Sequence, residues 1–420
     1  MTLRVWGALV AGALCVFLGS WSLLHHGWLG RGQIVDTNVY VKYAHAVVEG
    51  EVPYRDFTLE YPPGALPVFV LPGLIDDVRP AFDRWFDREM ALCGCLMLVG
   101  CALCLLRLGA GVRRTAAALG LVALSPLLIG SLVLTRFDFW PAALAVLALA
   151  ALLWERRSTA AVLLGCAIGA KLWPAVAFPV ALVWVLHNHG RRAAALFTGI
   201  VAGVVAAIFL PFAVLGPDGL GHSFHQQLAR PMQIESLGAS ILIAFRHLIH
   251  QYLVETFGFG SQNVAGTGVH ELEIATTVVG IAGLVVVWVL FARSPMTAER
   301  LVTAVAASVA MLLAFGKVFS PQFVIWLVPF VVLVPGRRGV AASLLAAGAF
   351  ALTHAWFPHH YWELANGFRT LQSGELLLRN LFVVAIAVLL AWPQPLPERA
   401  TRARPERSAR RPPAPRARAS

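Results

Sequence analysis

Few polar residues are available for chemistry in this chain, and one of them stands apart. Asp36 opens a polar loop, Asp36-Thr-Asn-Val-Tyr40 through Glu60-Tyr61-Pro62-Pro63, in a sequence otherwise made almost entirely of lipid-soluble segments. A carboxylate held at the mouth of a multi-span protein is a natural general base for chemistry on a lipid-borne substrate. Three cations accompany it, each alone at an apolar hairpin tip: Arg136 in Arg136-Phe-Asp138, Lys171 in Lys171-Leu-Trp-Pro174, and Lys317 in Lys317-Val-Phe-Ser320-Pro321. A charge at membrane depth is costly unless it meets a partner or a water-filled cavity. Snorkelling, or pairing with a neighbour such as Asp138, would account for any one of them. An anion bound between all three accounts better for their sharing one face.

The elements that must position these residues are helices. Of the 420 residues, 58% are hydrophobic and 13% charged, and the mean hydropathy is +0.72. Several apolar stretches approach the roughly 20 residues needed to cross a hydrocarbon core of about 30 Å, so the expected fold class is an all-α integral membrane protein. Residues 5–24 follow Arg4 without a small-residue cleavage site and read as a retained signal anchor. The pairs Arg113-Arg114, Arg156-Arg157, Arg191-Arg192 and Arg337-Arg338, with Arg293 and Arg300, mark cytoplasmic loops under the positive-inside rule. Crossings then begin near positions 5, 89, 115, 139, 160, 172, 193, 273, 300, 321, 340 and 376, which makes about twelve membrane segments with both termini inside. Residues 158–170 as a helix reach only about 20 Å. Lys171 is therefore expected in a recess below the outer surface, and Lys317, after a segment little longer, in the same position.

Two long loops, 25–88 and 216–272, face the non-cytoplasmic side in this scheme. Residues 38–48 read as an interfacial helix ended by Gly50, and the apolar run 65–74 is too short to cross. In the second loop Leu237, Ile241, Phe245, Leu248 and Tyr252 fall on one helical face, as a partial lid on the outer leaflet would require. Residues 258–268 read as a mobile turn-rich stretch. The membrane body is 1–392. The tail 393–420 carries eight arginines and two glutamates, so it supplies +6 of the net +11. It has no apolar periodicity and is expected to be a disordered, solvated topology anchor without a nucleic-acid partner. Cys93, Cys95, Cys101 and Cys104 sit in an apolar helix and read as core packing. The histidines, including His222 and His225, lack a third ligand at a fixed offset, so no metal site is expected. No Walker loop, nucleotide fingerprint, Asp-x-Asp motif or Gly-x-Ser-x-Gly elbow is present, which argues against a soluble nucleotide donor and a bound cofactor.

Taken together, several short motifs resemble glycosyltransferase family 87. They are Asp36-x3-Tyr40, Pro53-Tyr54-Arg55-Asp56-Phe57, Glu60-Tyr61-Pro62-Pro63, Arg136-x-Asp138, Gly169-x-Lys171-x2-Pro174, Arg230-x2-Gln233-x-Glu235-Ser236 and Lys317-x2-Ser320-Pro321-Gln322. They appear in family order and cover nearly the whole chain apart from the tail. The resemblance implies a GT-C membrane fold and an inverting, metal-independent transfer from a polyprenyl-phosphate sugar. Sugar and acceptor do not carry over from the family; a hexose, mannose in the first instance, and a lipid or polysaccharide acceptor at the extracytoplasmic face of the bacterial plasma membrane are expected. In that pattern Asp36 is the catalytic base; from the positions of the cations themselves, the donor phosphate is expected between Arg136, Lys171 and Lys317 with Arg230 closing on it. Asp138 orients Arg136 or Lys171. Tyr40, Tyr61, Gln233, Glu235, Ser236 and Gln322 are the remaining residues expected to bind or orient substrate, Glu235 being the competing base. A lipid or glycan transporter would instead want ionisable groups near mid-bilayer with access from both sides. A lipid-linked polymer ligase or acyltransferase is the third reading.

Overall fold

The computed structural model describes residues 2–30 and 34–392. The tail 393–420, and with it the expectation of disorder there, lies outside the described residues. The first helix, α1 (Leu3–Leu23), leads into a loop that carries two short helices, α2 (Thr37–Val48) and α3 (Leu66–Ile75), before α4 (Ala81–Arg107). Gly50, at φ 90°, takes up the left-handed conformation just after α2, as the sequence suggests. α5 (Val112–Ile129), α6 (Phe139–Leu153), α7 (Arg157–Ala170) and α8 (Phe178–Leu215) follow. The second long loop begins with α9 (Pro217–Leu228) and α10 (Leu237–Ile249). After it come α11 (Val269–Ala292), α12 (Ala298–Phe315), the one-turn α13 (Val328–Val331), α14 (Gly336–Trp356), the short α15 (Tyr361–Ala365) and α16 (Thr370–Ala391).

Eight of these segments among the described residues are long and apolar enough to cross a bilayer: α1, α4, α5, 173–215, α11, α12, α14 and α16. The expected starts at 139, 160 and 321 fall on shorter apolar helices, so length alone does not yield twelve crossings. The starts at 172 and 193 merge into the single stretch 173–215, most of it α8, which at 38 residues would run to about 57 Å if straight. It is not straight. Gly190 leaves helical geometry at φ 81° and ψ 177°, a conformation open to glycine because it has no Cβ. Beyond it the chain doubles back, so the Phe178 and Phe197 rings stack with centroids 6.3 Å apart.

α6 and α7 form a second hairpin, joined through Trp154–Arg156 and about 22 Å and 21 Å long. Both arms stop well short of a bilayer's thickness, so their open ends, Asp138 and Lys171, meet at one depth. The recess expected for Lys171 follows from these lengths. Cys93, Cys101 and Cys104 of α4 are buried, which fits core packing, whereas Cys95 is only half-buried.

The second loop holds a small β element within the otherwise helical fold. Residues 253–266 are an antiparallel hairpin of β1 (Leu253–Gly258) and β2 (Ser261–Gly266). The two-residue turn Phe259-Gly260 has positive φ at both positions, 54° and 65°, the primed-turn geometry that matches strand twist. A third strand-like segment pairs with β2 through Ile234 N–H to Gln262 O (3.1 Å) and Val264 N–H to Met232 O (3.0 Å). The stretch read as mobile is therefore mostly ladder. α10 is buried on one side and exposed on the other. It buries Leu237, Leu242 and Ile243 while Phe245 and Leu248 stay exposed, and Tyr252 falls beyond its end.

Candidate active site

The turns that close the α6–α7 hairpin hold the centre of the site. Asp138, 1% exposed, accepts from Lys171 Nζ at 2.6 Å and from Trp326 Nε1 at 2.6 Å, both on Oδ1. Lys171 Nζ also lies 4.7 Å from the Phe137 ring centroid, 4.9 Å from Phe323 and 5.2 Å from Trp326. An ammonium ringed by aromatic faces and tied to a buried carboxylate is fixed in position. Two residues before Asp138, Arg136 turns toward the first loop, and its Nη1 is 2.7 Å from Asp36 Oδ1. Asp36 thereby joins the pair, within electrostatic reach of both Asp138 and Lys171. The four charges cancel.

Asp36 begins α2 but does not cap it with its side chain, so both oxygens face the site. Oδ1 meets Arg136, and Oδ2 has only a long contact of 3.5 Å from Tyr40 Oη. Burial pushes the Asp36 carboxyl above its ordinary value, while the Arg136 and Lys171 charges pull it back. Tyr40 is 1% exposed, stacked on Phe69 at 4.3 Å and edge-on to Tyr61 and Phe137. These rings form an apolar floor that fixes α2, and therefore Asp36, in depth. Tyr61 packs against Phe137 at 5.0 Å, and its carbonyl accepts from Tyr54 Oη.

A close backbone contact explains how the first loop finds the hairpin. A Cβ on Gly64 would stand 2.5 Å from the Gly169 carbonyl carbon and 2.6 Å from the Ala170 nitrogen. Trp140 Nε1 donates to Gly64 O at 3.2 Å. The Pro-Pro-Gly turn thus rests directly on the last turn of α7, next to Lys171. Only a residue without a side chain fits.

The second loop contributes from the other side. Arg230 donates from Nε to Phe259 O at 3.2 Å and acts electrostatically on Glu60, Lys171 and Glu235. Glu60 at the rim is raised by burial, with the Arg230 charge opposing. Gln233 is buried and joined to Ser320, its Nε2 3.0 Å from Ser320 Oγ. Ser236 caps α10 by accepting from Ala239 N–H at 3.2 Å. Gln322 is half-buried at the start of the 321–327 segment. Glu235 is 2% exposed, and burial pushes its carboxyl up to about 7.

Two of the hairpin-tip cations are paired at the site, Arg136 with Asp36 and Lys171 with Asp138, and one expectation is corrected. Lys317 points elsewhere: its ammonium is 3.1 Å from Glu273 of α11 and 3.1 Å from Leu228 O. Only its backbone carbonyl reaches the site region, accepting from Gln233 N–H at 2.9 Å. Sequence reasoning also missed Arg379 of α16. Its guanidinium is fully buried, donates from Nη2 to Glu235 O at 2.9 Å and lies 3.8 Å from the Phe319 ring centroid. Its signal was present, because a single cation inside an apolar helix marks a functional or structural site by default.

The profile of glycosyltransferase family 87 matches residues 57–321. The chain belongs to glycosyltransferase family 87. It is a membrane glycosyltransferase, and the matched stretch holds Tyr61, Arg136, Asp138, Lys171, Arg230, Gln233 and Glu235, whereas Asp36 and Tyr40 precede it. Among solved structures, ArnT from Cupriavidus metallidurans, crystallised with undecaprenyl phosphate, is similar to this family 87 enzyme at 14% identity. The likeness covers 93% of this chain and 77% of that one, with a TM-score of 0.47. No curated protein matches the sequence.

Proposed function

We propose that this family 87 enzyme moves a hexose, mannose in the first instance, from a polyprenyl-phosphate donor to a hydroxyl of a lipid or polysaccharide acceptor. The reaction takes place at the extracytoplasmic face, inverts the anomeric centre and uses no metal. The observation that carries this reading is the meeting of Asp36 with Arg136, Asp138 and Lys171 at the open end of a hairpin too short to cross the bilayer.

Asp36 takes the acceptor's hydroxyl proton on Oδ2, the oxygen with the weaker hold. The acceptor oxygen bonds to the anomeric carbon as the bond from that carbon to the phosphate oxygen breaks. The electron pair leaves with the polyprenyl phosphate, and the proton on Asp36 then passes to water. General-base help of this kind supplies about 10²–10⁴ in rate. The leaving phosphate gathers charge, so preorganised donors aimed at it lower the barrier. Arg136 suits that role because its Nε has no hydrogen-bond partner although the residue is buried. Arg230 adds a second guanidinium from the rim, and Lys171 adds fixed positive charge from below. Lys317, held by Glu273, is left out of the set.

The test is Asp36→Asn in the purified full chain, supplied with labelled polyprenyl-phosphate mannose and membrane acceptors. Donor binding stays within about twofold while transfer falls at least about 10²-fold. Appreciable turnover in that variant removes Asp36 as the base. Wild-type transfer that persists in chelator supports the metal-free route, and its loss on chelation followed by restoration with a divalent ion defeats it.

A further inference from the structure

Three helices leave a groove at the end of the bundle opposite the charged cluster. Its floor is α12, in which every residue from Leu301 to Met311 is buried, and its walls are the last turns of α11 and α16. The small side chains of Ala304 and Ala307 keep the floor low between Leu290 and Leu390, leaving about 100 Å³. Arg300 lines the groove in the first turn of α12, and Trp392, 66% exposed, lines it just past α16. The 18 residues of α12 span about 27 Å. The groove is therefore remote from the turn that carries Lys317 and takes no part in the reaction described above.

The polar groups here suit an anion. Arg300 donates its backbone N–H to Thr297 Oγ1 at 3.3 Å, but its guanidinium meets no carboxylate among the described residues. Glu299, the acid of the same turn, lies within electrostatic reach of Arg114. Ser294 Oγ donates to Phe291 O at 2.8 Å and Thr303 Oγ1 to Glu299 O at 2.7 Å. Both hydroxyls spend their hydrogens on the backbone and keep lone pairs for a donor. More positive charge stands close by: Arg338 Nη1 donates to Trp392 O at 2.8 Å, and exposed Arg293 ends α11. This is the end that the arginine pairs mark as facing the cytoplasm, where the leaflet carries anionic lipid.

We propose that the groove binds an anionic phospholipid of that leaflet. The phosphate meets the Arg300 guanidinium, and hydroxyls of the head group donate to Ser294 and Thr303. The acyl chains run along the outer side of α11, where Val285, Val286 and Val289 are exposed. This role does not depend on the transferase reading. Charge selects the occupant, because basic pockets between membrane helices on the cytoplasmic side hold anionic head groups, and a zwitterionic head group brings its own cation to Arg300. An arginine that merely reached for water along its apolar stem would not tell lipids apart by charge. The chain's own continuation has the wrong sign: residues 393–420 carry eight arginines and two glutamates.

The test uses the full chain in nanodiscs of phosphatidylglycerol and phosphatidylcholine with matched chains, one of the two lipids carrying a photoreactive acyl group. Photoreactive phosphatidylglycerol should label the peptides that hold Val289 and Leu390 about fivefold more than photoreactive phosphatidylcholine does. Arg300→Gln should remove that excess, and Arg300→Lys should keep at least about half of it. Equal labelling by the two lipids shows ordinary bilayer contact and overturns the proposal, as does an excess that survives Arg300→Gln in folded protein. Should Arg300→Gln fail to fold, a benzophenone side chain at position 290 of the otherwise unaltered chain decides. It should capture phosphatidylglycerol in preference to phosphatidylcholine. Capture of residues 393–420, or of a second copy of the chain, gives the groove to another occupant and overturns the proposal.

Discussion

Neutralising Asp138 alone should do more harm than neutralising it together with Lys171. Asp138 Oδ1 receives both Lys171 Nζ and Trp326 Nε1 at 2.6 Å, and the carboxylate is 1% exposed. At an effective dielectric of about 20, two unit charges at this separation attract by about 6 kcal/mol. Much of that only offsets the desolvation of the two ions, so the pair adds little net stability over an apolar replacement. Removing one partner is different, because it strands the other charge at depth. Asp138→Asn and Lys171→Met should therefore each destabilise by about 3–5 kcal/mol, and the double variant should recover to within about 1–2 kcal/mol of wild type. Equilibrium unfolding in mixed micelles, read by tryptophan fluorescence, gives the cycle. Transfer measured on the same preparations should remain low in the double variant, since the fixed positive charge that Lys171 supplies is gone while only Arg136 remains beside Asp36. Two results would refute the reasoning: single-variant costs that add in the double, or a double variant with wild-type transfer. The first would mean that the charges are not coupled. The second would mean that the pair is only a strut.

The Asp36 carboxyl lies above its ordinary value through burial, and a base must be ionised. The acid limb of kcat/KM should therefore appear at a pH above the usual aspartate range, and a limb at or below that range argues against Asp36 as the group responsible. Glu235, raised from 4.5 to about 7, holds more protons folded than unfolded between those values. Its contribution to stability is present below about 4.5 and declines as pH rises to about 7, by about 3 kcal/mol in all. Glu235→Gln should flatten that slope in pH-dependent unfolding curves, and an unchanged slope assigns the dependence elsewhere. Lys317→Met should change stability by no more than about 1 kcal/mol, because its pair with Glu273 is partly exposed. Donor affinity measured by titration should not move; a large loss would return Lys317 to the phosphate site. Gly64→Ala should cost about 1–3 kcal/mol in the same unfolding assay and reduce transfer, since the new methyl meets the Gly169 backbone. A silent Gly64→Ala would mean that the first loop does not rest on α7.

Much of the site's depth was legible in the sequence, because depth follows from helix length. Counting residues between Arg157 and Lys171 yields an arm shorter than the bilayer, and the structure has that arm. The break in the long apolar stretch near Gly190 was legible for the same reason, since two crossings need about twice one bilayer's worth of residues. The short helix from residue 38 to Gly50 and the non-crossing run before Asp76 were readable from local periodicity and turn chemistry. The β-hairpin was not. Its strands alternate weakly, and β2 is held on its other edge by the 232–234 segment, about thirty residues earlier in the chain.

What the amino-acid order determined by itself is one-dimensional: which stretches are lipid-soluble, how long they are, where they turn, and which cations sit at their ends. These depend on hydropathy and on a fixed rise per residue, and neither needs a neighbour. Partner choice was left to the tertiary structure. Arg136 meets Asp36, Lys171 meets Asp138 and Lys317 meets Glu273 because of how each helix is rotated about its axis and how closely its neighbours pack. An ion pair made or lost over an ångström cannot be read from spacing along a chain. Only the packing of α7 against the Gly64 turn brought an aspartate from the first loop to a hairpin a hundred residues later.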